Sequence, residues 1–417
     1  MQDSNRKIIT AIIILFTLLQ FIILLVFGYT PYPDSNGYIL LAKECVRAEE
    51  PYPVSSQLNN LPFIWNVGAI NFVALSLRLF NSIMPLLCLY SLLKGLSAWL
   101  VYEIAKILFK DTGRVAWIAL LLYILYPANY GESTSLLSEL PFLFFILLGI
   151  FSILKQHGLA GGAWMAIANW IRPMGIVFLA SAVFFLILRK KRYDVLKTIG
   201  GYLIIVVVFS AFTYHRTGYC IYQAKTGWMA LLQYSVDHSP EDDADYTRAE
   251  GYNAVQKDSM WRERTIEWIG KHTGEYIKQM PAKLVKTYVS DNVNFCTFLP
   301  DKNKTKYMYE KISMPVLFHH FPHYSIVQWL TVCNLIYYYL LLVLFLAGCI
   351  VAVRNKKGAE IALPLSIIII GTVLLLLVGH GEARFHIPFM PFVIMVAALF
   401  INTNITNNKY IANNKYE

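Results

Sequence analysis

Charge is what this sequence has least of. Only 15% of its 417 residues are Asp, Glu, Lys or Arg and the mean hydropathy is +0.49, where a soluble domain carries about 25% charged residues. That scarcity excludes an ordinary soluble fold. Cysteine is also sparse: six residues with no CxxC spacing, which excludes a thiolate zinc motif or a thioredoxin-like pair. Cys45, Cys220 and Cys296 are expected outside the membrane, where a disulfide can form, while Cys88, Cys333 and Cys349 lie in apolar runs and read as packing residues. The chain lacks a P-loop, a GxSxG, an HExxH, and a GxGxxG followed by an acidic residue. With no nucleotide motif, the energy for any reaction has to arrive in an activated substrate at the membrane. No long internal repeat and no low-complexity domain interrupts the chain.

What is present in quantity is apolar length. A helix needs roughly 20 apolar residues to cross the hydrocarbon core. Charge-free or nearly charge-free runs occur at 8–27, 86–109, 136–154, 199–213, 327–353, 361–378 and 387–401. The first follows Arg6 and Lys7 but is too long for a signal-peptide core and lacks a good cleavage site. It reads as a retained helix with a cytoplasmic amino terminus.

The net charge of +10 is distributed as orientation chemistry rather than as a nucleic-acid footprint. Residues 215–325 hold 14 Lys/Arg and 13 Asp/Glu, so the excess sits at helix ends and short loops, where the positive-inside rule operates. Placing Arg6-Lys7, 106–114, Lys155, 189–192, 354–357, Lys409 and Lys415 in the cytoplasm predicts helices at about 8–28, 84–109, 114–127, 136–154, 158–171, 173–188, 195–214, 326–353, 359–379 and 386–402. The fold class is therefore all-α, a polytopic membrane protein of about ten transmembrane helices with both termini inside. Three parts are expected: a seven-helix module over 1–214, an extracytoplasmic helical segment over 215–325, and carboxy-terminal helices with a short tail over 326–417. The Asn-rich tail, 402–417, reads as disordered.

The outer face then receives loop 29–83, with an interfacial or re-entrant helix in 61–80, then 126–138, the turn around Arg172, and 379–386. In the outer segment, apolar positions at helical spacing across 262–289 predict amphipathic helices, with Pro281 starting the second. Residues 239–250 are acidic and read as a solvated loop.

The chemistry-bearing residues fall on this outer side. Asp34, in Pro-Asp-Ser-Asn-Gly-Tyr38, is either a general base or a helix cap. Glu132 and Glu139, seven residues apart, can share a helix face. Glu139 enters the apolar run directly, where a carboxylate is expensive and a functional candidate, whereas Glu132 fits a first-turn acid favoured by the helix dipole. Arg172, before Pro173, and Arg384, in Gly-Glu-Ala-Arg-Phe-His386, break the positive-inside pattern. Their donor forks suit phosphate, with a local salt bridge to Glu382 or Glu139 as the competing role. His380 and His386 lack metal-ligand spacing, and no carboxylate completes a site at His319, His320 and His323. No cofactor is expected, and no carboxylate cluster supports a divalent metal. The Asn303-Lys-Thr305 sequon lies in the outer segment.

In order along nearly the whole chain, these pieces resemble the GT-C glycosyltransferases, in particular the dolichyl-phosphate-mannose protein mannosyltransferase-like branch with its bacterial members. The matching residues are Asp34-Ser-Asn-Gly-Tyr38 with Leu41-Ala42, Pro62 through Arg78-Leu-Phe80, Ser138-Glu-Leu-Pro-Phe-Leu-Phe144, Arg172-Pro173, the amphipathic stretch 261–289, and Glu382-Ala-Arg-Phe-His-Ile-Pro388. Where the family often has two adjacent acids in the first loop, Ser35 follows Asp34 here. The resemblance implies a GT-C-like fold and a polyprenyl-phosphate-linked sugar as donor. It implies a glycan, lipid or protein acceptor, membrane lipid as partner and no nucleic acid. Asp34 would be catalytic, with Tyr38, Glu132, Glu139, Arg172, Glu382, Arg384 and His386 binding substrate, in a cell inner membrane with the site extracytoplasmic. A ligase or polymerase of lipid-linked glycans and a secondary transporter or flippase are the competing readings. Transporters, however, place charge near the midplane and show repeated halves, neither of which the sequence displays.

Overall fold

The computed structural model describes residues 2–110, 113–235, 251–291, 293–298, 326–379 and 381–413. Described residues form α-helices and short 3-10 turns, joined by a single isolated bridge between Ile64 and Lys225. Six helices are long and apolar enough to cross a membrane. They are Arg6–Phe27 (within α1, Gln2–Phe27), Met84–Leu108 (α4), Arg192–Thr217 (α9), Val327–Arg354 (within α13, Ile326–Arg354), Gly358–Val378 (α14) and Ala383–Thr406 (ending in α15, Met390–Asn413). The shortest of these has 21 residues, about 31 Å of helix. This is a helical, multi-pass membrane protein.

The expected ten crossings become six, or seven if the bent pair Pro127–Thr134 and Glu139–Leu154 (α6) counts as one span. The rest are short: α5 (Arg114–Leu125) has 12 residues, and α7 (Gly158–Ile171) and α8 (Gly175–Leu188) have 14 each. At 1.5 Å per residue these reach roughly 18–21 Å, less than the ~30 Å hydrocarbon core. Apolar runs of this length belong equally to helices buried among other helices, and hydropathy alone does not separate the two cases.

Two helices of the first loop, α2 (Pro33–Arg47) and α3 (Val67–Phe80), pack on each other, and α3 falls within the 61–80 stretch where a helix is expected. Beyond α9, α10 (Gly227–Ser235) leads towards α11 (Ala254–Lys271), which opens on a capping box. The Asn253 side chain accepts from the Val255 and Gln256 amides while Gln256 accepts from the Asn253 amide. The next helix, α12, runs Thr273–Tyr288, so Pro281 lies inside it rather than starting it; the break falls at His272. Tyr276 donates to the Leu377 carbonyl and Tyr288 pairs with Thr372 (2.6 Å), which lays α12 against α14.

The tail also differs from expectation, because α15 continues to Asn413. Of the cysteines, Cys45 is a buried free thiol pushed up to about 12 by burial, and Cys220 is free and exposed. The acidic stretch 239–250, His319, His320, His323, His380 and the sequon at Asn303 lie outside the described residues.

Connectivity sorts the charges. Helices α6 to α9 run alternately between an end that carries Glu139 and Arg172 and an end that carries Lys155 and Arg189–Arg192. Arg189 donates to the Ala359 carbonyl (2.7 Å), which brings the start of α14, with Lys356 and Lys357, to the same basic end. The core is continuous from Ile9 to Leu399, so the carboxy-terminal helices complete the amino-terminal module rather than forming a separate body.

Close approach of α6, α7 and α9 depends on glycine. A Cβ on Gly162 would fall on the Thr198 carbonyl, one on Gly201 on the Leu159 carbonyl, and one on Gly161 on the Ile153 side chain. Small residues at such contacts let backbones touch in a lipid environment, where apolar burial gives little reason to associate. Gly200, one residue away, faces open space. Gly162→Leu and Gly201→Leu are expected to lower the melting temperature in detergent, each by an overpacking cost of about 1–3 kcal/mol. Gly200→Ala should leave it unchanged or raise it. Equal effects at Gly200 and Gly201 in a thermal-shift assay would contradict this packing.

Candidate functional site

Asp34 sits in the first turn of α2, after Pro33, and is not its cap: Tyr32 occupies the cap position and makes no side-chain capping bond. Its carboxylate instead meets the other end of the chain. Arg384, in the 3-10 turn Ala383–Phe385, donates from Nη1 to Asp34 Oδ2 at 2.6 Å. The same guanidinium lies 2.6 Å, through Nε, from Glu382 Oε1, and its Nη1 lies 3.7 Å from Glu139 Oε1.

Glu139 opens α6 and is 3% exposed. Arg172, at the end of α7, donates from Nη1 to Glu139 Oε1 (2.8 Å) and to Ser138 Oγ (3.0 Å), and stacks over the Phe385 ring at 5.4 Å. Asn66, just before α3, donates to Ser138 Oγ (3.1 Å) and to the Tyr38 hydroxyl (2.7 Å). Burial, helped by the charges of Asp34 and Glu139, raises the Tyr38 phenol above its ordinary range, so it stays protonated and serves as a hydrogen-bonding group rather than a base.

Residues from α2, the start of α3, the start of α6, the end of α7 and the turn before α15 thus converge. The five ionisable groups carry a gradient of exposure. Glu139 and Arg172 are sealed, whereas Asp34 and Glu382 are 29% and 37% exposed. A buried ion pair therefore backs two reachable carboxylates held by one arginine. Among the described residues no group of three or more His, Cys, Asp or Glu is arranged to hold a metal ion.

Of the eight residues the sequence singles out, six meet here: Asp34, Tyr38, Glu139, Arg172, Glu382 and Arg384. Two do not. Glu132 shares no helix face with Glu139, because the chain turns through 114° between them. It lies instead in a wholly buried loop and pairs with Lys94 of α4, whose ammonium also bonds Asn129 Oδ1 at 2.8 Å. Such irregular backbone inside a membrane bundle is tolerated when protein surrounds it. Here Thr134 accepts from the Thr30 amide (2.9 Å) and its hydroxyl meets Thr297 (3.0 Å).

His386 turns away from Arg384. Its Nδ1–H donates to the Thr287 carbonyl (2.6 Å), since a carbonyl only accepts, and its Nε2 faces Asp291 at 3.7 Å. Tyr288 and Tyr338 flank the ring. His386 anchors the turn that carries Arg384 instead of reaching the cluster. Sequence reasoning missed Lys94, although a lone lysine within an apolar span is itself a signal that a buried partner exists.

Comparison of the chain with known protein families and with curated proteins returns no match. The functional reading rests on the residues and their geometry.

The Lys94–Glu132 pair gives a sharp expectation, because its side chains are 1% and 3% exposed. Removing one member leaves a buried charge, at about 3–5 kcal/mol, whereas replacing both with apolar groups of similar volume is often neutral. Lys94→Met or Glu132→Met alone should abolish or sharply lower folded yield, and the double variant should recover most of it. Additive losses in size-exclusion yield and melting temperature would sink this account of the loop.

Proposed function

We propose that this protein is a membrane glycosyltransferase of GT-C-like architecture. It transfers a sugar from a polyprenyl-phosphate donor to an acceptor hydroxyl on the extracytoplasmic face. The single observation that carries this reading is the contact of reachable Asp34 with Arg384, backed by the buried Glu139–Arg172 pair. A hydroxyl needs a base, and a departing lipid phosphate needs a cation: Asp34 is the candidate base, and Arg384, ion-paired to Asp34 and Glu382, is the guanidinium that a phosphate would take over.

In the proposed reaction the acceptor hydroxyl gives its proton to Asp34 as its oxygen bonds to the anomeric carbon. The bond from that carbon to the phosphate oxygen breaks, and the electron pair leaves with polyprenyl phosphate. Direct displacement inverts the anomeric centre. Before donor binding, Arg384 occupies Asp34 Oδ2. A phosphate that draws the guanidinium towards itself frees that oxygen for the acceptor, so donor binding readies the base. Arg172 holds Glu139 behind the two reachable carboxylates, and Tyr38 and Asn66 orient hydroxyls.

Sidedness is supported by the placement of charge. The basic turns Lys155, Arg189–Arg192 and Arg354–Lys357 lie at the helix ends opposite Glu139 and Arg172. Basic loops favour the cytoplasm, which supports an extracytoplasmic position for the cluster.

The test uses purified protein in nanodiscs with polyprenyl-phosphate sugars and hydroxyl acceptors, following release of free polyprenyl phosphate. Acceptor-dependent release should fall by about 10²–10⁴-fold in Asp34→Asn, the range for loss of a general base. Turnover undiminished in that variant would remove Asp34 from the chemistry, and absence of release across all donor sugars would overturn the transferase reading.

A further inference from the structure

Helix α12 carries three stripes, each at helical spacing. Tyr276, Lys283 and Thr287 are buried. Lys278, Ala282 and Lys286 are exposed and, with Glu275 of the first turn, make a polar stripe. The remaining side holds Ile277, Pro281, Leu284 and Val285, all exposed, the three aliphatic ones at 56%, 40% and 61%. Apolar side chains gathered on one exposed side of a helix mark a surface that something apolar covers.

The contacts of α12 fix how deep that side lies. Helix α14 has 21 residues, about 31 Å of helix, and so just fills a hydrocarbon core of roughly 30 Å. Val378 is its end nearer the Arg384 turn. Tyr276 donates to the Leu377 carbonyl at that end, whereas Tyr288 pairs with Thr372, about 9 Å further in. From Tyr276 to Tyr288, α12 advances about 18 Å along its own axis while its contacts descend about 7.5 Å along α14. It therefore runs obliquely, with Leu284 and Val285 in its deeper half. Beside them Ile369, Val373 and Leu377 form an exposed apolar stripe on α14 itself, so the apolar side of α12 continues the lipid-facing surface of a membrane span. A soluble partner does not reach that level, and acyl chains do.

The polar stripe specifies the headgroup. It sets Lys278 and Lys286 against the single acid Glu275, and lysine stems lie along apolar surface while their ammonium groups reach the phosphate level. Lys283 has a different role: it is buried, with its ammonium 4.5 Å from the centre of the Tyr276 ring.

We propose that α12 is an interfacial helix of the leaflet on the Arg384 side, with Ile277, Pro281, Leu284 and Val285 among acyl chains and Lys278 and Lys286 on the phosphates of anionic phospholipids. Nothing in this placement depends on the transferase reading. It makes the leaflet part of the mount of Arg384. A Cβ on Gly381 would fall 2.7 Å from the Lys283 carbonyl, and His386 donates to the Thr287 carbonyl, so the Arg384 turn rests on α12.

The experiment uses the full-length protein in nanodiscs of phosphatidylcholine with about 30% phosphatidylglycerol, an anionic phospholipid. A genetically encoded nitroxide replaces Val285 or, as the lipid reference, Val373, and is read by power saturation with oxygen and with a nickel chelate. Both positions should be open to oxygen and closed to nickel. A photo-crosslinking residue in place of Ala282, between the two lysines, should capture phospholipid, with phosphatidylglycerol enriched about twofold or more over its bulk share. Lys278→Gln with Lys286→Gln should return the adducts to the bulk ratio, and Lys278→Arg with Lys286→Arg should keep the enrichment. All of these side chains are exposed, so melting temperatures should match the parent protein. Nickel access at position 285, adducts to protein in place of lipid, a bulk-level share of phosphatidylglycerol, or enrichment that survives the double glutamine variant overturns the proposal.

Discussion

A carboxylate placed inside an apolar bundle has to be paired, and the rest of this structure is arranged around that constraint at Glu139. Desolvating a charge costs several kcal/mol even after relaxation, so Glu139 persists only because Arg172 reaches it at 2.8 Å. That bond fixes the start of α6 to the end of α7. Arg384 stands at 3.7 Å from the same oxygen and at 2.6 Å from Asp34, so the final turn before α15 is tied to the first loop through one guanidinium. The ends of the sequence meet because their charges have nowhere cheaper to go. Lys94 and Glu132 solve the same problem deeper in the bundle and, in doing so, hold a non-helical loop among helices.

Packing delivers these residues to one place. Glycines at 161, 162 and 201 let α6, α7 and α9 approach until backbone meets side chain or backbone. The short helices α7 and α8 are separated by the turn at Arg172 and Pro173, so the arginine sits at the junction of two half-length helices. From the other side α12 is tied to α14 through Tyr276 and Tyr288, and His386 bonds back to Thr287 of α12. The Arg384 turn is therefore held at both flanks, a rigid mount for the group that the proposed reaction requires to change its bonding partner.

Much of the cluster was legible in the sequence for a physical reason. In a chain so short of charge, each ionisable residue next to an apolar run stands out, and the basic turns sort such residues by side. Asp34, Glu139, Arg172 and Arg384 stand out this way, and Glu382 enters as a salt-bridge partner offered to the arginines and through the family resemblance. The same reasoning failed where partner and direction matter. Glu132 read as a neighbour of Glu139 because spacing assumes a continuous helix, and the chain bends between them. His386 is two residues from Arg384, yet its ring points to Thr287 and Asp291. The number of crossings was overcounted because hydropathy does not distinguish a 14-residue helix buried in protein from part of a span. Pro281 suggested a helix start, but the chain places the break at His272 and accepts the missing amide inside α12.

Arg384 is the group proposed to exchange Asp34 for a lipid phosphate, and a structure determined with undecaprenyl phosphate bound tests that exchange most directly. Cryo-electron microscopy of the protein in nanodiscs with that lipid should show phosphate oxygens about 3 Å from the Arg384 guanidinium, with the contact to Asp34 Oδ2 opened. A phosphate seated away from Arg384, or one bound there with the Asp34 contact intact, would contradict it.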